Sequence, residues 1–144
     1  MSEKIIEEAR TWLGTAFCHQ GRTKDGCDCL GLIIGIAKKL QLKSRNGIYL
    51  SEFDRLDYQF IPPGDLLSKS LEQQCVPLQY PKPGAIVLLS FLNNPQHLAI
   101  IATQNYNSSE ELTIIHAYQT LGMVCEHRFD QKWRRRAVAF YSFT

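Results

Sequence analysis

Residues 29–37, Cys-Leu-Gly-Leu-Ile-Ile-Gly-Ile-Ala, carry no charge at all. A helix that is apolar on every side belongs inside a domain, so this stretch predicts a buried central helix. Asp28 stands just before it, a residue type that accepts hydrogen bonds from the first free N–H groups of a helix. Lys38 and Lys39 fall where the negative end of the helix dipole favours them, and the helix is expected to run from Asp28 or Cys29 to about Leu40. Gly31 and Gly35 lie one turn apart on one face, and each costs about 1 kcal/mol relative to alanine. Close approach of a packed sheet or strand would offset that cost. Cys29 occupies the first turn, at the positive end of the dipole, where a thiol is easier to ionise and the thiolate is the reactive form. Cys29 is the candidate nucleophile, set against the common case of a free cysteine that is only a small buried hydrophobe.

A chain of 144 residues fits one domain, 1–144, with a real core. A net charge of +2 is too small to imply nucleic-acid binding, and no run approaches the ~18 apolar residues of a membrane span. Met1-Ser2-Glu3-Lys4-Ile5 lacks the basic and apolar regions of a signal peptide, so the chain is expected to be cytoplasmic as synthesised. Five cysteines without framework spacing imply reduced thiols rather than a disulfide scaffold.

Ser2 can cap a first helix to about Leu13, with Ile5, Ile6, Ala9, Trp12 and Leu13 on one face and Gly14 as its stop. Residues 15–27 read as a polar loop and 43–62 mostly as loop. Pro63 suits a helix first turn, with Asp65 to Gln74 as a short helix presenting Leu66, Leu67 and Leu71. Beyond the Pro81–Gly84 turn come short apolar runs, Ala85–Ser90, His97–Thr103 and Leu112–Ala117, then Met123–Phe129, which alternates moderately, and Ala137–Phe143, which reads as a final strand. Asn93-Asn94-Pro95 separates the first two, and a polar turn from Gln104 to Glu110 precedes the third. Helices first and a meander of strands afterwards imply an α+β domain with an antiparallel sheet.

A cysteine nucleophile needs a base, and the base needs a third group to orient it. His97 opens one expected strand and His116 nearly closes the next. Antiparallel pairing would set them side by side at one edge of the sheet, where the packed helix could present Cys29. His97 would then take the thiol proton while His116 holds its ring.

Asp28-Cys29-Leu30-Gly31-Leu32, His97-Leu98-Ala99-Ile100 and Ile115-His116-Ala117 resemble the three motifs of the NlpC/P60 cysteine peptidases. Leu13-Gly14-Thr15-Ala16-Phe17 also looks like that family's upstream Leu-Gly-x-Pro-Tyr segment. The resemblance covers Ile5 to the last strand and implies a papain-like fold with N-terminal helices packed on a C-terminal antiparallel sheet. It implies hydrolysis of peptidoglycan stem peptides, commonly between D-glutamate and the diamino acid, with no cofactor and no metal. Cys29 would be nucleophile and oxyanion donor, His97 base, His116 orienting residue, and Asp28 part of the pocket for the peptide's amino end. Gly-Cys-Asp-Cys-Leu-Gly is most similar to the subset carried by phages and gene-transfer particles, which implies tail or baseplate proteins as partners and a particle acting on the cell wall. Phe17 replaces the family's usual tyrosine and Leu30 its usual serine, two losses of polar contact with substrate. Gln20 is the candidate replacement donor.

Among the remaining residues, Cys18 and His19 are placed near the cleft and Cys75 in the core, with His127 at the surface. Cys27 reads as a partly buried thiol. A zinc site from Cys27, Cys29, Cys125 and His127 is weighed and set aside, because Cys-x-Cys is not a zinc-knuckle spacing. Lys132, Arg134, Arg135 and Arg136 read as a solvated turn, with an anionic-wall or subunit patch as the alternative. Two rivals to the peptidase stay open: an amidase or acyltransferase on the same scaffold, and a non-catalytic tail or baseplate module.

Overall fold

The computed structural model describes residues 1–59, 62, 65–105 and 111–143. The uncharged stretch forms α2 (Cys29–Leu40), capped by Asp28 and ended by Gln41 in the left-handed region. Leu32 and Ile36 are completely buried along it. Its glycines meet different neighbours from those expected. A Cβ at Gly31 would lie 2.0 Å from the Gly21 carbonyl oxygen, and one at Gly35 would lie 2.2 Å from the Trp12 indole. The close approach is therefore to a loop and to the segment after the first helix, rather than to the sheet.

That first helix, α1 (Ser2–Arg10), buries Ile5, Ile6 and Ala9. It is shorter than its periodicity suggests. Met1, with no side-chain bond, takes the cap position instead of Ser2, and Leu13 ends up exposed. The chain turns before Gly14, at φ 85°, whose N–H donates to the Val124 carbonyl and ties the turn to the sheet. Arg10 adds a bidentate pair to Glu126 at 2.9 and 3.0 Å.

Within the expected 15–27 loop, β1 (Arg22–Thr23) and β2 (Gly26–Cys27) make a small hairpin. Among its described residues, the 43–62 segment holds one 3-10 turn, at Leu50–Phe53. α3 (Leu66–Gln74) buries Leu67 and Leu71 of its expected apolar face, while Leu66 is half-buried. The expected helix start at Pro63 and residues 106–110 of the expected polar turn lie outside the described residues.

The sheet comprises β3 (Val76–Leu78), β4 (Ile86–Phe91), β5 (Asn94–Thr103), β6 (Leu112–Tyr118), β7 (Met123–Arg128) and β8 (Ala137–Ser142). Its order is β3-β8-β4-β5-β6-β7 and every pair is antiparallel. β3 escapes the sequence reading because it is short and contains Pro77, which is tolerated at a sheet edge. Leu92 and Asn93, both at positive φ, make the β4–β5 turn, so Asn94 and Pro95 already belong to β5.

Both sheet faces are covered, which accounts for the unbroken apolar runs Ile86–Leu89 and Leu98–Ala102. Ile86, Leu88, Leu98, Ile100 and Ile115 pack with the helices in one core. Val87, Leu89, Ala99, Ile101 and Ile114 form a second core under Trp133 of α4 (Gln131–Arg134). The basic run is thus no simple solvated turn. Trp133, embedded in it, is buried, and Arg136 lies over the Phe91 and Trp133 rings, 4.7 Å from each centre, while Lys132, Arg134 and Arg135 are exposed.

Candidate active site

A cleft opens at the end of the sheet where β4 and β6 finish and β5 begins. Cys29 lines it from α2 and His97 from β5, with Phe17, His19, Asp28, Tyr58 and Tyr118 around them. The backbone N–H of Leu98, next to His97, reaches the Cys29 sulfur. The start of α2 and the start of β5 therefore meet at the sulfur.

The helix side is a knot of hydrogen bonds around one buried carboxylate. Asp28 Oδ1 accepts from the Gly31 N–H at 2.8 Å and from Arg22 Nη1 at 3.1 Å. Asp28 Oδ2 accepts from the Gln20 N–H at 2.8 Å and from the Tyr58 hydroxyl. Arg22 also pairs with Asp54 at 2.9 Å. Tyr58 carries no signal in the sequence, since it sits in a segment without periodicity. Its hydroxyl reaches Asp28 from a different loop, on a site where Phe17 offers none.

This knot changes what the helix end does to Cys29. The sequence points to a lowered thiol pKa at the dipole. Instead, burial first and the Asp28 charge second push Cys29 up to about 12, against the backbone N–H groups of Leu98 and Leu30 and the Arg22 charge. Burial withholds the water that would stabilise a thiolate there, and the Asp28 carboxylate adds a like charge beside it. Cys29 rests as a thiol.

The sheet side is a line of three imidazoles. His97 Nε2 lies 2.7 Å from His116 Nδ1, and His116 Nε2 lies 2.8 Å from His127 Nε2. His127 Nδ1 lies 2.9 Å from the Arg128 carbonyl oxygen. That oxygen can only accept, so the proton positions follow from it. In its neutral form His127 therefore carries its proton on Nδ1 and accepts at Nε2. His116 must then donate from Nε2 and accept at Nδ1, and His97 must donate from Nε2. His97 Nδ1 is left with a free lone pair. Burial lowers His97 to about 4 despite Asp28, and burial with the His97 and His127 charges lowers His116 to about 2, so both rings are neutral. Tyr118 stacks on His116, and Trp133 meets it edge-on.

The structure brings Cys29, His97, His116, Asp28 and Phe17 to this region. Leu30 packs against the helix-side core instead. The Gln20 amide donates to the Leu56 and Tyr58 carbonyls, at 2.6 and 3.0 Å, so it braces that loop rather than facing the cleft. His19 lines the cleft, Cys18 is exposed and Cys75 is buried. Cys27 is completely buried. His127, expected at the surface, is half-buried and touches His116; its place depends on a β6–β7 register that spacing alone does not reveal.

No protein-family model matches the chain, and no curated protein matches it in sequence. Solved structures do match in shape. The NlpC/P60 domain of the peptidoglycan hydrolase SagA superposes with a TM-score of 0.64 at 17% identity, over 99% of this chain and 98% of that one. An NlpC/P60 family protein from Bacillus cereus gives 0.68 at 13% identity, over 99% of this chain and 40% of the other. An N-acetylmuramoyl-L-alanine amidase from Bacteroides uniformis gives 0.58 at 12% identity, over 97% and 96%. The fold is that of the NlpC/P60 domain, papain-like α+β.

Proposed function

We propose that this chain is a cysteine endopeptidase that hydrolyses an amide in peptidoglycan stem peptides, at the bond between D-glutamate and the diamino acid. The observation that carries the reading is the His97–His116–His127 line. It leaves one unprotonated imidazole nitrogen on the ring that shares a cleft with Cys29. The shape match to the NlpC/P60 domain of a peptidoglycan hydrolase supports the substrate class.

Cys29 attacks the substrate carbonyl carbon as His97 Nδ1 takes the thiol proton, so sulfur and imidazole become charged only as the bond forms. The negative oxygen of the tetrahedral intermediate faces the first turn of α2, where the Cys29 N–H has no acceptor within the helix. Proton return from His97 to the leaving amine gives a thioester. Water, deprotonated by the same nitrogen, then releases the acid. His116 keeps the proton of His97 on Nε2 throughout. Phage-like tail or baseplate proteins are the proposed carriers of the chain to the wall, on the strength of the Gly26–Gly31 motif.

Digestion of purified peptidoglycan and soluble muropeptides, with mass spectrometry of the products, tests the reading. The wild type should free a new amino group on the diamino acid, and Cys29→Ala should lose roughly 10⁴-fold or more of that activity. Inactivity of both folded proteins would leave a structural module. The amidase-like neighbour favours one second reading, cleavage between muramic acid and L-alanine, and those products have different masses.

A further inference from the structure

The sheet also gathers three metal-ligating atoms at one point. One ring nitrogen each of His116 and His127 and the Cys125 sulfur all lie within 4.8 Å of one another, and the two Nε2 atoms are 2.8 Å apart. The register accounts for this, since Cys125 is directly opposite His116 on β7 and His127 is two residues further along the same face. His116 is fully buried, while Cys125 and His127 are half-buried and leave the point partly open on their side.

Two features fit a ligand set. The two Nε2 atoms face each other at 2.8 Å, joined by a single proton where a cation could stand. His127 already places its Nδ1–H on the Arg128 carbonyl, the outer hydrogen bond that a metal-bound histidine usually makes. We propose that His116, Cys125 and His127 form a site for a zinc-class divalent ion, and that its occupancy switches off His97. The second half rests on the peptidase reading above.

A His₂Cys set suits zinc rather than the hard cations magnesium or calcium. An ion about 2.05 Å from each nitrogen in tetrahedral geometry requires them to part to about 3.3 Å, a shift of about half an ångström. Water would take the fourth position. The protons then rearrange in a defined way. Cys125 releases its thiol proton to solvent and binds as thiolate. His116, ligated through Nε2, carries its one proton on Nδ1 and donates it to His97 Nε2. His97 must therefore hold its own proton on Nδ1, the nitrogen that the reaction needs empty. One ion enters, one proton leaves, and the direction of the imidazole line is reversed. The base is occupied without any change at Cys29.

Titration of the metal-free full chain with Co²⁺, followed by its thiolate charge-transfer absorption, reads the site without activity. Zn²⁺ then competes the band away. One equivalent should bind to the wild type and to Cys29→Ala, and Cys125→Ser should bind more weakly by at least about a hundredfold, beyond what loss of an outer partner causes. Stoichiometric Zn²⁺ should abolish wild-type muropeptide cleavage and spare Cys125→Ser, which cleaves normally without metal. A missing thiolate band, or one that persists in Cys125→Ser, would overturn the site. Equal zinc inhibition of both proteins, or none of either, would overturn the switch. Absence of cleavage before any metal is added would count against the peptidase reading alone, with the cobalt band still deciding the site.

Discussion

The helix wall of the cleft holds its charge, whereas the sheet wall excludes charge. On the first, Asp28 gathers two backbone N–H groups, the Arg22 guanidinium and the Tyr58 hydroxyl around a single buried carboxylate. On the second, three imidazoles stand in a row beside Trp133 and Tyr118, and burial keeps His97 and His116 neutral. Both walls lock their side chains by hydrogen bonding, but only the sheet wall has a direction. A carboxylate accepts from all sides, so its partners could be exchanged without altering its role. An imidazole has one donor and one acceptor, so the distant Arg128 carbonyl decides which nitrogen His97 offers.

The largest expected effect concerns Cys29, which sits between the walls. Because burial and Asp28 raise its pKa to about 12 from an ordinary 9.0, the thiolate fraction is small at neutrality. Iodoacetamide labelling of Cys29, with Cys29→Ala as background, should accelerate about tenfold per pH unit, hence about a hundredfold from pH 7 to 9. A level rate over that range would show a preformed thiolate–imidazolium pair. The same shift affects stability. The unfolded chain ionises Cys29 near 9 and the folded chain only near 12, so Cys29 contributes a loss of stability as pH rises through that window and none below it.

Next comes the direction of the sheet wall. His127→Ala removes the acceptor that aligns His116, and kcat should fall roughly 10- to 100-fold with KM little changed, the size seen when outer-shell partners are lost. Unchanged turnover would make the third imidazole a bystander. Smallest for turnover is the helix wall, where several partners share one carboxylate. Tyr58→Phe removes one of them and should cost about 1–3 kcal/mol in urea unfolding. A larger loss, with kcat reduced as much as in the His127 variant, would erase the distinction between the walls.

Much of this was legible in the residues. A cap followed by nine uncharged positions specifies a buried helix because no other placement satisfies both backbone and side chains. The apolar runs announced the strands, and opposed ends of neighbouring antiparallel strands put His97 beside His116. Tyr58, Trp133 and His127 were not legible. Tyr58 lies in a segment without periodicity, Trp133 is hidden inside a basic run, and His127 meets His116 only through the β6–β7 register.

By itself, then, the sequence determined the central helix and the α+β order, which depend on local periodicity and capping, and it pointed to Cys29, His97 and His116 as candidates through strand opposition and motif resemblance. Only the tertiary structure decided the state of those residues. Protonation and tautomer depend on burial and on contacts from residues distant in the chain, Tyr58 on Asp28 and His127 on His116. No local pattern carries that information, since an imidazole's proton is placed by whatever carbonyl the fold brings to its far side.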